Sequence, residues 1–92
     1  MSVIELVPDS DHMYRETALG HNILGGEAVQ HVVKGNTWFG CYCAADTDFS
    51  FVGCTVGPGF DFADFELGSR SMLLKDFPNA SKIITKMTEG LQ

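Results

Sequence analysis

Ninety-two residues are enough for one small domain, and a chain of this length buries only roughly 60 to 65 % of the surface its unfolded form exposes. Twelve acidic residues against six scattered basic ones leave a net charge of -6, so the basic cluster that a nucleic-acid backbone requires is absent. No apolar run approaches the roughly 18 residues of a membrane span, and "MSVIELVPDSDH" has no basic region and carries Glu5 inside its apolar part, so the expectation is a cytoplasmic protein with neither nucleic acid nor membrane as partner.

"VIELV" at 3–7 is β-rich and stops at the turn cluster "PDSD". "HMYRETALG" at 12–20 alternates less cleanly and reads as an edge strand. "NILGG" turns the chain, "EAVQHVV" at 27–33 reads as a third strand, and "KGN" turns again. "TWFGCYCAA" from 37 and "FSFVGCTVG" from 49 complete about five strands, at the 8 to 12 residue spacing of a sandwich or barrel. On the strand at 37–44, Trp38, Gly40 and Tyr42 share one face while Phe39, Cys41 and Cys43 share the other. Phe49 and Phe51 oppose Val52, Cys54 and Val56 in the same way. Strands apolar on both faces require cover on both.

Three cysteines without an export signal favour reduced, buried thiols over a disulfide framework. Cys41 and Cys43 lie two apart on one strand, roughly 6.6 Å between Cα atoms, with side chains parallel and poorly placed for a bridge. No Cys-x-x-Cys or paired-His spacing points to zinc.

"VGCTVGPGFDFADFE" (52–66) interleaves Phe60, Phe62 and Phe65 with Asp61, Asp64 and Glu66 after a Gly-Pro-Gly break. The reading is scaffold: the rings pack inward, the acids stay hydrated, and Glu66 is retained as a candidate ligand contact. After Leu67 the period becomes helical. Ser69 is placed to cap "RSMLLKDF", with Met72, Leu73 and Phe77 on one face. Pro78 ends that helix and Asn79 is placed to cap the next, whose stripe is Ile83, Ile84, Met87 and Leu91 up to a stop at Gly90. One domain is expected, with a β core over 1–66 and a helical tail over 67–92.

"VVKGNTWFG" (32–40), "GCTVGPGFDFADFEL" (53–67) and the ending "LLKDFPNASKIITKMT" resemble the cupin-5 family, a cupin group of unknown function. The resemblance implies a mainly β protein: a jelly-roll (RmlC-like) barrel with two short C-terminal helices, usually a homodimer that packs sheets together. The first cupin motif has no counterpart here, so a partial barrel corresponding to the C-terminal portion of such a protein is expected. Aligned on Gly35, the second motif of metal-binding relatives falls on Val33, Gly35, Trp38 and Tyr42, and only the glycine agrees. The expectation is therefore no metal and no cofactor, and any catalysis would be metal-independent and epimerase- or isomerase-like.

Trp38 and Tyr42 with Gln30 form the candidate pocket, an aromatic platform beside an amide suited to a sugar or similar polar ligand. His12, His21 and His31 stand alone in sequence and read as exposed histidines; pairing of His21 or His31 with Glu27 would supply an acid–base dyad only if the fold brought them together. Two functional classes follow: a cupin that binds a small polar molecule, or an interaction module whose open sheet edges are covered by another chain.

Overall fold

The structure, a computed structural model, describes residues 1–89. Three strands, β1 (Ser2–Leu6), β2 (Tyr14–Ala18) and β3 (Phe39–Tyr42), form an antiparallel sheet in the order β2-β1-β3. Two helices follow, α1 (Arg70–Asp76) and α2 (Ser81–Met87). Among the described residues, no helix is long and apolar enough to cross a membrane.

β1 is central because its sequence suits burial on both sides. Val3, Ile4, Glu5 and Leu6 are all buried, whereas β2 and β3 alternate between exposed and half-buried positions. Ile4 pairs with Glu16 and Gly40, and Glu5 pairs with Arg15 and Phe39. Side chains directly opposite on paired strands share a face, so Ile4, Leu6, Tyr14, Gly40 and Tyr42 lie on one side, and Val3, Glu5, Arg15, Phe39 and Cys41 on the other.

The first side meets the helices. Leu6, Leu73, Ala80 and Ile84 form the buried cluster, with Trp38, Met72, Phe77 and Ile83 packed against it. The helix signals read from sequence are the ones in use: the Ser69 hydroxyl accepts from the Met72 amide at 3.3 Å, and α1 ends one residue before Phe77-Pro78. Asn79 is a correction. The chain passes through a short 3-10 turn (Pro78–Ala80) straight into α2, which has no side-chain cap, and the Asn79 amide instead donates to the Asp11 carbonyl at 3.1 Å. Arg70 ties the two helices together, its Nε donating to the Thr88 hydroxyl at 2.8 Å and a terminal nitrogen to the Thr88 carbonyl at 2.9 Å. The stop at Gly90 and the stripe residue Leu91 lie outside the described residues.

Two expected strands do not form. In 27–33 only Ala28 makes a bridge, to Leu19, because the segment places His31 against β1 instead of joining the ladder. In 49–56 the chain is irregular, and among the described residues no backbone hydrogen bond engages 48–60. A strand needs a neighbour to pair with, and alternation alone does not supply one. The inward packing expected for Phe60, Phe62 and Phe65 is corrected too: all three are exposed and pack on each other, Phe60 and Phe62 edge to face at 4.8 Å. The three thiols are free, as expected, but exposed, because the strands meant to bury them are incomplete.

Trimming the core should be felt at once in so small a fold. Ile84→Val is expected to lower the urea unfolding free energy by about 1 kcal/mol, whereas Leu24→Ala, at a fully exposed side chain, should change it by less than about 0.5 kcal/mol.

Candidate functional site

The helix-facing side of the sheet does not close completely on the helices. Between β1, β3, the 64–68 loop and α2 lies a cleft of about 620 Å³, within the roughly 300–1,000 Å³ usual for small-molecule sites. Ile4, Leu73, Ile84 and Met87 give it an apolar floor, while Asn36, Thr37, Asp64, Glu66 and Thr88 supply polar groups. Trp38 stands on its wall, fixed by the hydrogen bond from the Leu6 amide to the Trp38 carbonyl at 2.9 Å.

Close approach of Gly68 shapes the same wall. A Cβ there would lie 3.0 Å from the Leu73 side chain and 3.2 Å from the Trp38 ring, so a side chain at residue 68 would force Leu73 or the indole to shift by a few tenths of an ångström. Gly40 clears space in the same way on the sheet side, where an added Cβ would stand 2.7 Å from the terminal methyl of Met87.

Of the four residues singled out from sequence, Trp38 and Glu66 come together on this cleft although 28 positions separate them. Tyr42 is displaced to a neighbouring depression of about 430 Å³ shared with Lys86 and Cys43. Its hydroxyl donates to Glu16 Oε2 at 2.9 Å and Lys86 Nζ stands 3.8 Å from its ring centre, so its ring and hydroxyl are both occupied by the protein. Gln30 is exposed and lies outside the cleft. The polar groups that share the cleft with Trp38 are thus the Asn36 amide and the carboxylates of Asp64 and Glu66, not Gln30.

Glu5 and His31 form a second constellation, on the opposite side of the sheet. Glu5 is 2 % exposed, and its Oε1 meets His31 Nε2 at 2.7 Å and Arg15 Nε at 3.7 Å. This corrects the reading of His31 as an exposed, solitary histidine; its partner is 26 residues away and is not Glu27, which accepts from the Asn22 amide at 3.0 Å. His12 and His21 are exposed. The missed signal was Glu5 itself, a charge at the same alternation position as Val3 and Val7 in a strand apolar on both faces.

Residues 2–68 match the family model described as Cupin superfamily (DUF985). The chain belongs to this cupin family. Its three-stranded antiparallel sheet and two short helices make a partial cupin-like fold. No curated protein and no solved structure matches the chain. Metal chemistry, common on cupin scaffolds, requires three or four converging donors. Among the described residues of this cupin, no group of three or more His, Cys, Asp or Glu side chains is gathered to hold an ion.

Two measurements follow from these environments. His31→Ala leaves the buried Glu5 carboxylate without its 2.7 Å donor and is expected to cost about 2 kcal/mol in urea unfolding; His21→Ala serves as the neutral comparison. Cys41, although exposed overall, is sheltered enough by its neighbours that partial burial, and then the negative charge of Cys54, push its thiol above the ordinary value. A raised thiol pKa means less thiolate at a given pH. Iodoacetamide at mildly alkaline pH should therefore label Cys41 more slowly than Cys43, as peptide mass spectrometry would show.

Proposed function

We propose that this cupin binds a small, neutral, hydroxyl-rich molecule, such as a sugar derivative, in the Trp38 cleft without a metal. The observation that carries the reading is the convergence of Trp38 and Glu66, distant in sequence, on one cleft of ligand size. An indole offers a flat apolar face for the C–H side of a sugar ring. Asp64 and Glu66 are acceptors for its hydroxyls, and Asn36 and Thr37 supply both donors and acceptors. Two carboxylates at the rim of a protein with a net charge of -6 disfavour an anionic ligand here.

A second reading rests on a separate observation. Phe49, Phe51, Phe60, Phe62 and Phe65 are all exposed, Phe51 to 93 %, along a stretch whose backbone is largely unpaired. Together these rings present on the order of 700 Å², close to the roughly 800 Å² that each partner contributes to a standard interface. Cover by a second copy of the chain, pairing along the open outer edge of β3, would bury them and give a homodimer.

Trp38 is the sole tryptophan, so intrinsic fluorescence reports on the cleft alone. Titration with a panel of neutral mono- and disaccharides is expected to give a saturable change that Glu66→Gln weakens severalfold and Gly68→Val also weakens. No response from any member of the panel would remove the ligand-binding reading. Sedimentation over a concentration series tests the second: a discrete dimer that Phe51→Ser dissociates is expected, and a monomer at every concentration would sink it.

A further inference from the structure

The Trp38 cleft leaves the buried charge on β1 without a role. Desolvating a carboxylate costs several kcal/mol unless it is paired, yet Glu5 occupies the middle of the central strand at 2 % exposure. A hydrophobic residue there would serve the sheet at least as well.

The surroundings of Glu5 are ordered by the register. Arg15 on β2 and Phe39 on β3 lie directly opposite it, so a cation, a carboxylate and an aromatic ring form one row across three strands, on the side away from the helices. His31 reaches into that row from the irregular 27–33 segment and bonds Glu5 Oε1 at 2.7 Å. A carboxylate only accepts, so this contact puts a hydrogen on Nε2; in the neutral imidazole the lone pair is then on Nδ1. Among the described residues, neither His31 Nδ1 nor the terminal nitrogens of Arg15 have a hydrogen-bond partner. The Arg15 side chain is 62 % exposed and Phe39 is 60 % exposed. The buried carboxylate thus holds His31 by one ring nitrogen and stands at ion-pair distance from Arg15, whose side chain is largely exposed.

We propose that this row is a second ligand site, for small carboxylate-bearing molecules. The outward nitrogens of Arg15 pair with the ligand carboxylate, a match of planar fork to planar anion that lysine cannot reproduce. His31 Nδ1 accepts from a hydroxyl next to that carboxylate, and the Phe39 ring supports the ligand's apolar edge. Glu5 is a positioning residue: it holds the imidazole by the 2.7 Å contact to Nε2 and draws Arg15 by charge across 3.7 Å. A purely structural ion pair would need the Glu5–His31 bond but would have no use for the exposed end of Arg15 or the face of Phe39.

The test uses the isotope-labelled full chain, D-glucuronate as the probe and D-glucose as the neutral control. His31 ring nitrogens are followed by long-range proton–nitrogen correlation, with Trp38 fluorescence recorded in parallel. Glucuronate is expected to shift the His31 Nδ1 signal saturably, while glucose leaves it unmoved and Trp38 does not respond to glucuronate. Arg15→Gln should weaken binding at least tenfold with the His31 tautomer unchanged, whereas Glu5→Gln should alter the tautomer pattern itself. A His31 signal indifferent to glucuronate at tens of millimolar would overturn the proposal, as would an Arg15→Gln variant that binds as tightly as the parent. Because Trp38 reports separately, failure here leaves the sugar-cleft reading intact.

Discussion

Among the described residues, β1 is the one strand with a neighbour on each edge and cover on each face, and the rest of the fold is arranged to meet its demands. Ile4 and Leu6 must be buried, and α1 and α2 with their Leu73–Ile84 cluster do that from one side. Glu5 must be hydrogen-bonded from the other. That requirement is local and directional, so a single imidazole satisfies it, and the segment bearing His31 is placed by one 2.7 Å bond where a β ladder was expected. The irregularity of 27–33 and the burial of a charge are two aspects of the same constraint.

Features with local causes were legible in the sequence. Ser69 caps α1 because a hydroxyl before a helical run meets the amide of the third residue; Pro78 stops that helix because it blocks the preceding turn. β1, β2 and β3 announce themselves by β-rich runs between turn clusters. The 49–56 segment has the same signature and yet forms no strand. A period of two says which side chains would share a face if a partner were present, and nothing about whether one is.

The candidate site was half legible for the same reason. The ring of Trp38 marked a wall, but the acceptors that share its cleft come from a loop 26 to 28 residues later, which passes close to the indole at Gly68. Tyr42 sits on the same sheet face as the cleft, yet its hydroxyl is taken by Glu16 from β2, across the whole width of the sheet. Gln30 was grouped with Trp38 as though 27–33 were a regular strand. Once His31 is held against Glu5, that segment belongs to the other side of β1.

Both sites are built on β1 and its immediate neighbours, and the pleat separates them. Trp38 faces the cleft, and Phe39, the next residue, flanks the Arg15–Glu5 row. Successive side chains of an extended chain point to opposite faces, so one short segment borders both proposed sites: the cleft with its carboxylates and indole, and the row with its guanidinium and imidazole. Charge keeps the two apart as effectively as geometry does. With a net charge of -6 an anion is repelled from most of the surface, and Arg15, 3.7 Å from the buried Glu5 and largely exposed, is the cation that this face offers. A carboxylate buried at some cost therefore does two things at once, holding the imidazole beside it by a 2.7 Å contact and standing within ion-pair distance of a cation on the neighbouring strand.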